Sequence, residues 1–201
     1  MRLIINLVLV ALVALLIYVL YSSINEPIAF QAEKARREGA VIDRLTDIRK
    51  AQELYREVHG EYAKDFDSLV STLNNGKIPV VKVIGDPDDP TNTDAIRYDT
   101  TFVPAMNYFK DYETTMAKRT IHLDSLRYVP FTKGQQFLVQ ADTLTYQSTL
   151  VNVVEVGIPR TQFMGPYADE RFKRYDASYD PNKTIKFGTM FAPNLAGNWE
   201  R

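Results

Sequence analysis

No cysteine occurs in the 201 residues. That absence removes a disulfide framework, a thiolate metal site and a cysteine nucleophile together. It leaves the compartment open, because many bacterial envelope proteins also lack cysteine. Histidine is nearly as scarce, with His59 and His122 in separate segments and no partner motif beside either. His122 lies in a strand pattern, where a structural or surface role is the expectation. Net charge is missing too. The chain carries 24 basic and 25 acidic residues, so no global field draws it to nucleic acid, and no local basic patch stands out. A nucleic-acid partner is not expected. There is no GxSxG elbow, P-loop, HExxH or dinucleotide fingerprint, and Gly76-Lys77 lacks the preceding glycine loop of a nucleotide site. Carboxylates abound, but no spacing singles out a pair. The expectation is therefore no catalytic residue, no cofactor, no metal, and a function other than enzymatic.

What the chain does have is an almost unbroken apolar run over residues 3–24, with Asn6 its only strongly polar member before Ser22 and Ser23. About 20 apolar residues coiled as a helix match the hydrocarbon core of a bilayer. A cleaved signal peptide is the rival reading, but its apolar region is shorter, and Leu20-Tyr21-Ser22-Ser23 fits a small-x-small cleavage site poorly. A buried core helix is a second rival, yet a helix apolar on every face belongs more often in a membrane. The sequence thus reads as a single-pass anchor over residues 1–27, contacting lipid through 3–24. Arg2 precedes the span, whereas Lys34, Arg36 and Arg37 follow it, so the charge count weakly favours a cytoplasmic C-terminal part.

Asn25-Glu26-Pro27 interrupts the run, and proline there kinks a helix or starts a new one. An amphipathic pattern follows, expected to make one helix over 28–59 within a helical segment 28–75. Val41, Leu45, Ile48, Tyr55, Val58 and Tyr62 form its apolar stripe. Arg36, Arg37, Asp43, Arg44, Asp47, Lys50, Glu53, Arg56 and Glu57 read as a solvated face, with Asp47 and Lys50 the nearest favourable pair. Ile48 and Tyr55, two turns apart on one face, are expected to pack on the sheet built from strands after Gly76, and Arg49 to lie on the exposed side. His59-Gly60 gives a left-handed stop. A short helix follows, capped by Asp65, with Phe66, Leu69, Val70 and Leu73 on its apolar face, ended by Asn74-Asn75-Gly76.

Past Gly76 the period changes to two. Residues 76–201 read as a β-rich globular part packed on the helix. Its strands are expected over 78–84, 97–103, 120–131, 135–145 and 149–163, and a last one over 184–190. Pro79 marks an edge or a strand start, and Thr132-Lys133-Gly134 a hairpin turn. The fold class is α+β: a long N-terminal helix, a short second helix, then a mainly antiparallel sheet. Loop 86–94 carries four aspartates and two prolines. Oxygen ligands packed this closely suit calcium, although the spacing is not that of an EF-hand, and a rigid solvated turn fits equally well. Asn182-Lys183-Thr184 matches a glycosylation sequon, relevant only in a eukaryotic secretory pathway.

Leu45-Thr-Asp-Ile-Arg-Lys-Ala-Gln-Glu-Leu-Tyr55 follows the apolar helix and Pro27, and leads to Gly60-Glu-Tyr62 and Phe66-Asp-Ser-Leu69. This order resembles the N-terminal half of type IV pilins and type II secretion pseudopilins, over roughly the first third of the chain by the element plan. The resemblance implies a long helix that crosses the inner membrane and continues into a periplasmic α+β domain. It also implies protein partners or self-assembly through that helix, in a secretion or pilus-like envelope machine. Met1-Arg2 stands where the family has a Gly–Phe processing site, and Asn6 cannot neutralise a neighbour's amine as a glutamate does, so processing and polymerisation are not carried over. The whole chain also looks similar to uncharacterised single-pass proteins of Bacteroidota, in a DIRKAQ-like helix and an Ala196-Gly-Asn-Trp-Glu200 ending. The small residues Ala29, Ala32, Ala35, Gly39 and Ala40 permit close helix approach, and equally suit an ordinary alanine-rich helix. The second reading is a membrane-tethered binding module for an unidentified ligand.

Overall fold

The structure, a computed structural model, describes residues 1–84 and 97–200. Helix α1 spans Arg2–His59, 58 residues with Pro27 inside it, about 87 Å long at the α-helical rise. Pro27 lacks the N–H that would bond the carbonyl one turn back, yet it starts no new helix. Residues 1–25 are exposed throughout. This part of α1 is long and apolar enough to cross a membrane.

From Phe30 onward one side of α1 turns into a core. Val41, Leu45 and Ile48 are buried as the stripe requires, and Tyr55 and Val58 pack partly against the same core. Phe30, Ala51 and Leu54 join them. Tyr62 is buried beyond the helix, in the turn after Gly60, which adopts φ 78° and donates its N–H to the Arg56 carbonyl at 2.7 Å. Gln52 fixes this corner. Its buried amide donates to the Ala63 carbonyl at 3.0 Å and accepts the Ala63 N–H at 2.9 Å, satisfying a polar side chain that would otherwise be costly to bury. Helix α2, Phe66–Asn75, starts where the Asp65 carboxylate accepts the Ser68 N–H at 2.7 Å.

Strands β1 (Lys77–Ile84) and β2 (Arg97–Pro104) pair antiparallel as a separate two-stranded sheet, with Pro79 opposite Phe102. Chain β2 runs straight into helix α3, Ala105–Tyr112, whose first N–H bonds the Gly76 carbonyl at 2.9 Å. The sequence pattern contains no counterpart to α3. Ala105, Phe109 and Tyr112 are buried at helical spacing, but eight residues are too few for periodicity to declare itself.

The expected strand over 120–131 is corrected: a 3-10 turn occupies Leu123–Ser125, and His122 sits exposed just before it. The buried residues there are Ile121, Leu126 and Val129, spaced by five and three rather than two. They anchor a loop and do not alternate across a pleat. Thr132-Lys133-Gly134 does make a turn, closed by the Val129 N–H on the Gln135 carbonyl at 2.8 Å, but a single bridge, Tyr128 with Gln136, stands in place of paired strands.

The second sheet has the order β3-β4-β5, antiparallel, from Leu138–Tyr146, Thr149–Pro159 and Thr184–Gly188. Its inner face carries Val139, Ala141, Val154, Val156, Ile158, Ile185 and Phe187, joined to the core of α1. Gln147 and Ser148, both at positive φ, form the two-residue β3–β4 hairpin, the geometry whose twist matches its strands. Strand β4 stops at Pro159, and Arg160–Phe163 continue as the short helix α4 instead of extending the strand. The fold is α+β. Loop 86–94 lies outside the described residues.

Candidate functional site

Three polar clasps join α1 to segments far away in sequence, and they define where the chain can act. The first surrounds the point where α1 leaves its bare, apolar stretch. Glu26 accepts from Arg174 at 2.7 Å and from the Tyr175 hydroxyl at 2.7 Å, with Arg171 at 3.7 Å. One turn on, Phe30 is fully buried, stacked on Phe172 at 4.8 Å and met edge-on by Tyr179 at 5.0 Å. Higher still, Lys34 pairs with Asp176 at 2.5 Å, Arg37 donates to the Phe163 carbonyl at 2.7 Å, and Glu38 pairs with Arg160 at 2.6 Å. The hydrogen bond from Lys34, seconded by Ser178, draws the Asp176 carboxyl down to about 2. Arg36 and Arg37 draw Glu33 down to about 2. Tyr179, donating to the Tyr167 carbonyl at 2.7 Å, has its phenol pushed up to about 12 by burial. The sequence shows this region only as a polar and aromatic stretch after Pro166. Its alternation of aromatics with Arg and Lys is the one signal that marks it.

The second clasp corrects the reading of α1's charges. Asp47 is fully buried rather than solvated, because it shares a face with Ala51 and Leu54, one and two turns on. Its Oδ1 accepts from the Tyr112 hydroxyl at 2.9 Å and from Arg119 Nη2 at 2.9 Å. The same guanidinium nitrogen lies 2.8 Å from Oδ2, but straddles the carboxylate so that Oδ2 receives no well-directed hydrogen bond. Burial pushes the Asp47 carboxyl up, and Arg119 and Tyr112 partly reverse this. Arg44 donates to the carbonyl and hydroxyl of Ser125 at 2.6 and 2.8 Å. The expected Asp47–Lys50 pair is replaced: Lys50 meets Glu53 at 3.4 Å. A shallow recess lies beside the cluster, with Asp43, Thr46, Met116 and Arg119 on its walls. The groups here are spent on one another, so the arrangement ties α1 to α3 and to the segment after it.

The third clasp accounts for the Ala196–Glu200 ending. Asn198 takes its place along β5, donating from its backbone to the Lys186 carbonyl at 3.0 Å and from its amide to the Thr184 carbonyl at 2.8 Å. Gly197 is pressed against the Trp199 ring, where a side chain would collide. Glu200 accepts from Arg49 at 2.7 Å and from the Gly197 N–H at 3.0 Å. Arg49 is therefore not a free surface residue, contrary to its expected exposure.

Outside the clasps, His59 bonds Thr72 at 2.9 Å, and Asn182 is exposed in the turn before β5. Among the described residues no three His, Asp or Glu side chains gather as metal ligands. Beyond the apolar run, uncovered faces among the described residues include two of note. One is the side of α1 bearing Ile28, Ala29, Ala32 and Ala35, with Gly39 and Ala40 half-buried. The other is the face of the two-stranded sheet with Pro79, Val81, Tyr98 and Phe102. Comparison with protein-family models, with curated proteins and with solved structures gives no match to this chain.

Proposed function

We propose that this chain is a single-pass subunit of a bacterial envelope assembly, structural or accessory, resembling a pseudopilin in plan. Residues 3–24 lie in the inner membrane, and the α+β domain stands on the periplasmic side. The observation that carries the reading is the unbroken α1: one helix serves as both the apolar rod and the spine of the domain, and its small-residue side near the membrane stays uncovered. Assembly through that helix needs no cofactor and no catalytic group. The periplasmic placement rests on the resemblance of 45–69 to pilin helices and stands against the weak charge count.

Because the chain has no cysteine, single cysteines report without background. Ala32→Cys in native membranes should give cross-linked adducts with a second copy or with another membrane protein, and Asp142→Cys, on the exposed strand β3, should not. Absence of adducts at positions 29, 32 and 35 alike would remove the assembly role. A phosphatase fused after Arg201 should be active and a fluorescent protein there dark; the reverse would place the domain in the cytoplasm. The tethered binding module is the second reading, favoured by the apolar sheet face of Val81, Tyr98 and Phe102.

A further inference from the structure

The 3-10 turn Glu170–Arg174 supplies Arg171 and Arg174, which meet α1 at Glu26, close to the end of its apolar run. Among the described residues, no hydrogen bond or ion pair joins the domain to α1 before Glu26. Glu26 lies two residues past the apolar run, about 3 Å along the helix axis. The headgroup layer of a bilayer extends roughly 5–8 Å beyond its hydrocarbon core. Arg171 and Arg174, held at 3.7 and 2.7 Å from the Glu26 carboxylate, are thus at headgroup depth once residues 3–24 span the core.

The donors at this depth are largely unspent. The Arg171 and Lys173 side chains make no hydrogen bond among the described residues, only ion pairs at 3.7 Å to Glu26 and 3.6 Å to Glu170. Arg174 uses one guanidinium nitrogen, on Glu26 and the Tyr175 hydroxyl. The three side chains are 58%, 44% and 56% exposed. Arg171 rests on the Phe172 ring at 4.6 Å and Arg174 on the Tyr175 ring at 4.5 Å, so both guanidinium groups are held in place before any ligand arrives. A planar guanidinium with free N–H groups suits a phosphodiester, which it meets with two parallel bonds.

We propose that Arg171, Lys173 and Arg174 form a collar that binds the phosphodiester of anionic lipid headgroups around the emerging helix. The inference rests on the membrane-anchored reading of residues 3–24. Glu26, Asp169 and Glu170 match the three cations in number, so the preference for an anionic lipid comes from the unspent guanidinium and ammonium donors and not from net charge.

The full-length chain, carrying Ala177→Cys with a fluorophore beside the turn, is reconstituted into vesicles of phosphatidylcholine with phosphatidylglycerol. Quenching by headgroup-labelled phosphatidylglycerol should exceed quenching by labelled phosphatidylcholine severalfold. The triple variant R171Q/K173Q/R174Q leaves Glu26, Asp169 and Glu170 unopposed and should abolish the enrichment, taking the ratio to parity or below it. Arg36→Gln removes an exposed cation about 15 Å farther along α1, and should leave the enrichment intact while controlling for charge and folding. Equal quenching by both lipids in the unmodified collar overturns the proposal, as does loss of enrichment in Arg36→Gln. Inorganic phosphate that abolishes the enrichment where chloride of equal ionic strength does not would make the site one for free phosphate, and overturns it as well. Alkaline extraction of the same vesicles separates the premises. Retained protein without lipid preference defeats the collar alone, whereas protein released into solution defeats the anchor and the collar with it.

Discussion

Removing the Phe30 ring should loosen residues 163–179 from α1. Phe30 is the only buried residue on α1 before Val41, so nothing else on that stretch replaces its packing. Phe30→Ala leaves a cavity between Phe172 and Tyr179, and such a truncation costs about 3–5 kcal/mol. Phe30→Leu keeps most of the volume but loses the stack and the edge contact, at about 0.5–1.5 kcal/mol each. For a chain of this size 1 kcal/mol shifts Tm by about 2–4 °C. Near-ultraviolet circular dichroism of the full-length protein in detergent should therefore show Phe30→Ala melting roughly 6–20 °C low, with Phe30→Leu in between. Hydrogen exchange should locate the loss in residues 163–179, because local opening follows the contacts that are removed. A Phe30→Ala protein melting within about 2 °C of the parent, or keeping full protection over 163–179, would refute the claim that this ring holds the clasp.

Other substitutions test the remaining contacts. Ile48→Ala, at a fully buried position, should lower stability by about 2–5 kcal/mol in urea unfolding, whereas Glu57→Ala on the exposed side should stay within about 0.5 kcal/mol; equal effects would mean that the stripe is not a core face. Arg119→Ala leaves the Asp47 carboxylate buried without its cation and should cost about 3 kcal/mol, since Arg119 itself is partly exposed. Adding Asp47→Asn to that variant should recover much of the loss, and no recovery would show that charge is not the cause. Acid should weaken the first clasp. Glu33 and Asp176 titrate lower in the fold than their ordinary values of 4.5 and 3.8, each at about 2. Their stabilisation is complete above those ordinary values and is lost as pH falls toward about 2. Asp47, with its carboxyl raised by burial, works in the opposite sense. Asp176→Asn should flatten the acid limb of a stability profile, and an unchanged limb would count against the Lys34 pair.

The helix, its glycine stop, the capped α2 and the outer strands were legible because each announces itself locally: an apolar stripe, Gly60, Asp65, alternation along 149–158. What stayed hidden depends on partners distant in the chain. The burial of Asp47 is set by Tyr112 and Arg119, 65 and 72 positions away. Phe30 is a single aromatic residue in a stretch with no other, and only Phe172 and Tyr179 make it a core residue. Residues 120–131 misled because their aliphatic and aromatic content suits a strand, while the spacing of Ile121, Leu126 and Val129 suits a loop pinned at three points. The two-residue turn at Gln147-Ser148 lacks the glycine or asparagine that normally signals positive φ.

The unbroken α1 has a mechanical consequence. It is held near Pro27 by Arg174 on Glu26 and just past its C-terminus by Asn152 on the Gly60 carbonyl, so the domain follows the rod when the rod tilts. From Glu26 to His59 the helix is about 50 Å long. If residues 3–24 span a bilayer as proposed, a tilt of about 20° carries the far end sideways by about 17 Å. The apolar run, about 33 Å as a helix, slightly exceeds a hydrocarbon core of about 30 Å, a mismatch that tilting relieves. Membrane thickness then becomes a bearing: a thinner bilayer leans the rod and points the domain, and every surface on it, at a different neighbour.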